Sequence, residues 1–147
     1  MLHLSLTKQV RKGYQPKRTD IQKWLRQSLL YTYKNITLDV SIVNSIISAE
    51  LNQQYRQKNY STNVISLEYA NTRDEFAMLS GELILCDEVI VKEAGEQNKT
   101  VIAHYAHMVV HGMLHLQGLD HQNDAEAEYM EGLESKIMNG LGFPNPY

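Results

Sequence analysis

Leu2, Leu4 and Leu6 alternate with polar neighbours, which is the period-two pattern of a half-buried strand. The alternation returns at Ile36, Leu38, Val40 and Ile42. Two short apolar runs, 64–67 and 83–86, read as further strands. Elsewhere the period lengthens to that of a helix. Thr19 and Asp20 cap a stripe formed by Ile21, Trp24, Leu25, Leu29 and Leu30. Ile47, Leu51 and Tyr55 recur every four residues in a helix over 44–57, and Asp87 starts another through Val89, Ile90 and Ala94. A fourth helix runs from near Thr100 to Gln117. The last spans 124–139 and is ended by Gly140, Gly142 and Pro144. Strands and helices interleave without a linker, repeat or low-complexity tract, so the pattern predicts a mixed α/β domain.

The helix from Thr100 is apolar around most of its circumference, with Val101, Ile102, Tyr105, Met108, Val109, Val110, Met113, Leu114 and Leu116. Such a helix belongs in the middle of a domain. Its histidines, His104, His107, His111 and His115, fall in one stripe at about 100° per residue. His111 and His115 stand one above the other on that face. Gly118 can take a left-handed conformation, end the helix and turn the chain, so that His121 swings back towards the pair. Three neutral imidazoles converging on one point with a fourth position open is the usual build of a catalytic zinc site. His107 and His115 are separated by a rise of about 12 Å, too far to share one ion. His111, His115 and His121 are therefore the expected ligands of a single zinc ion. His107 is expected to support them or to face substrate, and His104 to be a hydrogen-bonded core histidine.

The spacing H-x-x-x-H-x-x-G-x-x-H is also the skeleton of the metzincin proteases, with one departure. Gly112 stands where the protease carries its glutamate base. The metal cage is kept and the base is missing, which argues against peptidase activity. A zinc ion brings the pKa of its water towards about 7 and so makes a protein base dispensable. Glycine is also expected to leave room beside the metal for a bulky substrate such as a phosphodiester. Asp120 is expected either to accept a hydrogen bond from a ligand imidazole or to serve the turn.

The segment His111-Gly-Met-Leu-His-Leu-Gln-Gly-Leu-Asp-His121 resembles the signature of the YbeY family, bacterial metal-dependent endoribonucleases of ribosomal RNA maturation. Leu51-Asn52, Tyr55-Arg56, Lys58 and Thr62-Asn63-Val64-Ile65-Ser66 are similar to its central block. Gly81-Glu82-Leu83-Ile84-Leu85 resembles a family strand, and Ala106-His107-Met108-Val109-Val110 leads into the metal helix as the family's does. The resemblance covers residues 35 to 143 and is weak before them. It implies a zincin-like α+β fold over 1–147: a small mixed four-stranded sheet packed with five helices around a central, mostly buried metal helix.

By function it implies a zinc-dependent, single-strand-specific endoribonuclease of 16S rRNA 3′-end processing and ribosome quality control. Its site would be Arg56, His111 and His115, with His121 completing the metal set. Taken alone, Arg56 reads as a surface arginine at a basic helix end. Within the matched block it becomes the group that grips phosphate oxygens with its two-pronged guanidinium. The implied partners are single-stranded and ribosomal RNA, the small ribosomal subunit and assembly factors, in the cytoplasm, with no membrane and no DNA. Two alternatives stand beside this reading. One is a non-catalytic assembly factor with a structural zinc, and the other is a metallohydrolase of a non-RNA substrate.

Charge adds one qualification. The net charge is −3, yet Lys8, Arg11, Lys12, Lys17, Arg18, Lys23, Arg26 and Lys34 place over half of the 14 basic residues in the first quarter, opposed there only by Asp20. Asp124, Glu126, Glu128, Glu131 and Glu134 make the last helix acidic. Such a dipolar chain can still follow phosphates with one surface. Cys86 is the single cysteine, so no internal disulfide forms, and at the end of an apolar strand it is expected to fill core. No run of about 18 apolar residues marks a membrane span, and residues 1–7 are too short and too alternating for a signal peptide.

Overall fold

The computed structural model describes residues 1–10 and 12–147. Arg11, one of the basic residues counted above, lies outside them. The alternating leucines form β1 (Leu2–Lys8), which pairs in parallel with β2 (Asn35–Val43), Leu4 opposite Leu38. On the other side of β2 lies β4 (Met78–Cys86), also parallel. β3 (Val64–Asn71) closes the edge antiparallel to β4, so the mixed four-stranded sheet has the order β1-β2-β4-β3. Both β3 and β4 run longer than their apolar stretches. The extra residues of β3 include the exposed Glu68 and Tyr69, while β4 gains the buried Leu79 and Gly81 between less buried neighbours.

Register puts the alternating residues in rows. Ile36 stands opposite Leu79, Val40 opposite Leu83 and Ile42 opposite Leu85. This face is covered by α1 (Arg18–Gln27), α4 (Val101–Leu116) and α5 (Asp124–Gly140), and it holds the main core, with Ile21, Leu25, Val109, Met113 and Leu114 at 0% exposure. The opposite face carries a smaller cluster of Val43, Ile65 and Ile84 beneath Ile47 and Leu51 of α2 (Ser45–Arg56). α3 (Asp87–Glu96) packs against α4, and the buried Tyr105 hydroxyl donates to Asp87.

The local signals hold with three adjustments. α1 ends at Gln27, so Leu29 and Leu30 pack against the core from the segment beyond the helix and are not part of its stripe. α1 starts one residue earlier than its expected cap: Lys17 is the N-cap, and Asp20, at the third helical position, accepts the Lys17 backbone N–H at 3.4 Å. In α2 the stripe stops at Leu51, because Tyr55 is exposed and the buried residues are Ser48 and Asn52. Asn52 Nδ2 donates to the Tyr60 carbonyl at 2.8 Å, and the Ser48 hydroxyl accepts the Thr62 N–H at 3.1 Å. These bonds tie the 57–63 loop to the helix that ends in Arg56. α4 runs through the middle as its apolar circumference requires, and Thr100 caps it by accepting the Ala103 N–H at 3.2 Å. Cys86 is buried, as expected of core filler. Among the described residues no helix is long and apolar enough to cross a membrane.

Candidate metal centre

α4 ends as the glycine predicts. Gly118 has φ +99°, its N–H donates to His115 O at 2.9 Å, and the Leu119 N–H donates to Leu114 O at 3.2 Å. The reversed chain carries His121 back beside the helix, its ring centroid 5.4 Å from that of His111 and 5.0 Å from that of His115. One nitrogen from each of the three rings lies within 4.8 Å of the others.

The orientation of the two helical rings decides what they can hold. His111 Nδ1 faces the Glu134 carboxylate, and His115 Nδ1 faces the Leu119 carbonyl at 2.8 Å. Each acceptor takes an N–H, so each Nε2 is left as a bare lone pair, and the two stand 3.1 Å apart. Two lone pairs cannot bond to each other, whereas a cation between them satisfies both. Nitrogens about 2.1 Å from a tetrahedral ion stand about 3.4 Å apart, so the rings are close to zinc-ready. Burial, aided by the neighbouring His111 and His121, pulls His115 down to about 4 and keeps its imidazole neutral, the form a metal needs. The donor set fits a divalent ion.

These rings open onto a cleft of about 830 Å³. Arg56 lines it from the end of α2, Thr62 and Asn63 from the loop before β3, and Val64, Ser66 and Glu68 from one face of β3. Ser66, named only within the matched block, and Glu68 were given no role from the sequence, although period two counted from Val64 finds them. Asp120 accepts the His121 backbone N–H at 2.8 Å, which gives it the turn role.

One expectation is revised by this geometry, and two placements are added to it. Gly112 does not leave open room: a Cβ there would sit 2.8 Å from Leu83 Cδ2 and 3.1 Å from Ser66 Oγ, so the glycine lets α4 press against β3 and β4. No residue of the basic first quarter lines the cleft among the described residues, and β1 is at the sheet edge away from β3. Glu134 is no solvated acid but a fully buried carboxylate beside His111, with the Tyr147 hydroxyl donating to its other oxygen. Burial alone would raise its pKa; the neighbouring His107, His111 and Tyr147 outweigh that and hold it at about 2. The signal for it was its place midway between Met130 and Met138, which form the buried face of α5.

The other histidines lie outside the cage. His104 is buried, with Nε2 2.9 Å from Glu93 Oε1, as expected of a core histidine. His107 is 5% exposed and lines a separate cavity of about 630 Å³, with Nε2 3.6 Å from Glu134. It lies behind the cage instead of facing the cleft, and neither of its ring nitrogens makes a hydrogen bond.

Comparison with known proteins agrees with the sequence resemblance. Residues 6–142 match the family model described as endoribonuclease YbeY. The chain belongs to the YbeY family. The match takes in the last three residues of β1 and all of α1, where the sequence resemblance was weak. Relatives named endoribonuclease YbeY include that of Ralstonia nicotianae, 43% identical over 132 residues, covering 90% of this chain and 68% of the relative. That of Azoarcus sp. is 47% identical over 140 residues, covering 92% and 54%. That of Stutzerimonas stutzeri is 44% identical over 137 residues, covering 92% and 85%. The chain thus spans about half the length of some YbeY relatives and most of others. The solution structure of TM1509 from Thermotoga maritima shares the fold, with TM-score 0.52 and 19% identity over 95% of this chain and 92% of that one.

Proposed function

We propose that this chain is a zinc-dependent endoribonuclease that cuts single-stranded RNA, holding one ion on His111, His115 and His121. The observation that carries the reading is that the three histidines and Arg56 line one cleft. A zinc ion there supplies Lewis acidity and activates water at neutral pH. The chain's own residues do the rest. Arg56 grips the phosphate oxygens in a two-pronged way and stabilises the charge that grows on them. The bonds between Ser48 and Asn52 and the 57–63 loop hold the end of α2 and the Thr62-Asn63 approach in a fixed relation to each other. Asn63 is itself fixed, since its Nδ2 donates to Glu93 at 3.1 Å and its Oδ1 accepts the Val64 N–H at 2.7 Å.

The biological setting we propose is 16S rRNA 3′-end processing and ribosome quality control in the cytoplasm, with the small ribosomal subunit and assembly factors as partners and residues 1–147 acting as one domain. Zinc sites that serve structure alone usually have four protein ligands and are often rich in cysteine. Three histidines beside an open cleft, with Cys86 buried elsewhere, support catalysis over the structural alternative.

Arg56 provides the test. Arg56→Ala should slow cleavage of a single-stranded RNA by about 10²–10³ while metal content and fold stay intact. Arg56→Lys should rescue poorly, because an ammonium is a point charge without the fork. Near-normal cleavage by Arg56→Ala would return this residue to the surface.

A further inference from the structure

An acid with no access to solvent needs a reason to be there. Glu134 occupies the apolar face of α5, one turn from Met130 and one from Met138, each 1% exposed. An apolar side chain at that position would complete the stripe without desolvating a charge, and burying a carboxylate is costly unless it is hydrogen-bonded. Glu134 is bonded, and its partners are specific: one oxygen takes His111 Nδ1–H, and the other takes the Tyr147 hydroxyl, with His107 at 3.6 Å. The other helical ring, His115, is oriented by a neutral main-chain carbonyl from its own turn. His111 has no such turn after it and takes its acceptor from another helix.

We infer that Glu134 is a positioning residue for the metal cage, fixing His111 as the Nδ1–H tautomer so that its Nε2 lone pair points at the ion. The inference rests on the reading of His111, His115 and His121 as ligands and goes beyond it to a residue that never touches the ion. Two consequences follow from the chemistry. Without the carboxylate, a neutral His111 divides between its two tautomers, and the wrong one aims an N–H at the metal position. The carboxylate also places a negative charge one ring away from a cation whose three direct ligands are all neutral, which strengthens the donor nitrogen. Tyr147 occupies the second oxygen, so both oxygens of the buried carboxylate have a hydrogen-bond partner.

The test measures metal binding and ring chemistry instead of catalysis. Zinc affinity is determined by competition with a chromophoric chelator for the wild type, Glu134→Ala, Glu134→Gln and Tyr147→Phe, each checked for fold by circular dichroism. Glu134→Ala should weaken zinc binding by about 10–100-fold. Glu134→Gln keeps an oxygen that can accept Nδ1–H but loses the charge, so its loss should be smaller yet exceed about threefold. Tyr147→Phe leaves the His111 contact in place and should remain within about twofold. Nitrogen-15 NMR of the metal-free proteins should show His111 as the Nδ1–H tautomer in the wild type and in Glu134→Gln, and as a mixture in Glu134→Ala.

If Glu134→Ala does not fold, the His111 tautomer of the metal-free wild type decides. A tautomer mixture or an Nε2–H ring there, or wild-type affinity in a folded Glu134→Ala, overturns the inference. Failure of the wild type itself to bind zinc would overturn the cage, a different result from wild-type binding that is indifferent to Glu134.

Discussion

Adding a single methyl group at position 112 separates two accounts of the glycine in the metal helix. If Gly112 served to keep space open for substrate, alanine would be tolerated by the fold, and the better helix former would add about 1 kcal/mol of stability. The structure gives the position a different job. The new Cβ would lie 2.8 Å from Leu83 Cδ2, 3.1 Å from Ser66 Oγ and 3.4 Å from Val64 Cγ2. Carbon atoms in contact prefer about 3.5–4.0 Å, so the Leu83 approach is short by at least about 0.7 Å. Leu83 is 0% exposed in the main core and has little room to yield, so α4 must lift from β3 and β4. Overpacking of this kind costs about 1–3 kcal/mol. Set against the helix gain, the net loss is about 1 kcal/mol, which lowers the urea midpoint by about 0.5 M at an m-value near 2 kcal/mol/M. Cleavage should suffer more than stability, because lifting α4 moves His111 and His115 relative to Arg56, and a shift of about 1 Å can cost about 10²-fold in rate. Urea unfolding of Gly112→Ala, paired with RNA cleavage by the folded protein, checks both parts. A variant more stable than wild type with unchanged cleavage would refute the close-packing account.

Gly81→Ala should be more damaging, by about 2 kcal/mol or more, since its Cβ would meet the Leu67 backbone oxygen at 2.7 Å as well as Leu116 Cδ2 at 2.9 Å. A carbonyl in the β3–β4 pairing cannot step aside, and a urea midpoint unchanged from wild type would count against this. The chelator-treated protein should also lose stability on acidification. His115 is depressed to about 4 from an ordinary 6.5, with burial the main cause, and burial likewise lowers His104. A depressed histidine favours the folded state above its unfolded pKa. The contribution is therefore complete above pH 6.5 and is lost as pH falls towards about 4. Urea midpoints of the metal-free protein that stay flat across that window would contradict the assignment.

Much of the fold was legible because burial and periodicity coincide. Val40 and Ile42 face one core and their neighbours face away, so β2 could be read directly, and α4 announced its central position by being apolar almost all round. The metal cage was legible for a different reason: a helix turn and a left-handed glycine fix where His111, His115 and His121 must go, whatever the rest of the chain does. What stayed hidden depends on partners distant in sequence. Glu134 looks like its acidic neighbours until α5 packs against α4. Ser48 and Asn52 look like helix-surface residues until the 57–63 loop folds over them. The outer ends of β3 and β4 pair through backbone groups, with only Leu79 of the added β4 residues buried as a large apolar side chain. The basic residues crowd into the first quarter, but linear charge patterning carries no information about strand order, which puts β1 at the sheet edge opposite β3.

The central claim is that three histidines, and not the fourth beside them, hold one catalytic ion. It is tested most directly by zinc content and single-stranded RNA cleavage, measured together on the wild type and on His107→Ala, His111→Ala, His115→Ala and His121→Ala. The account predicts one zinc per wild-type chain, cleavage that chelation abolishes and zinc restores, loss of both metal and cleavage in the 111, 115 and 121 variants, and metal largely retained in His107→Ala. A wild-type protein that cleaves RNA without metal, or a His121→Ala variant that keeps zinc while His107→Ala loses it, would contradict it.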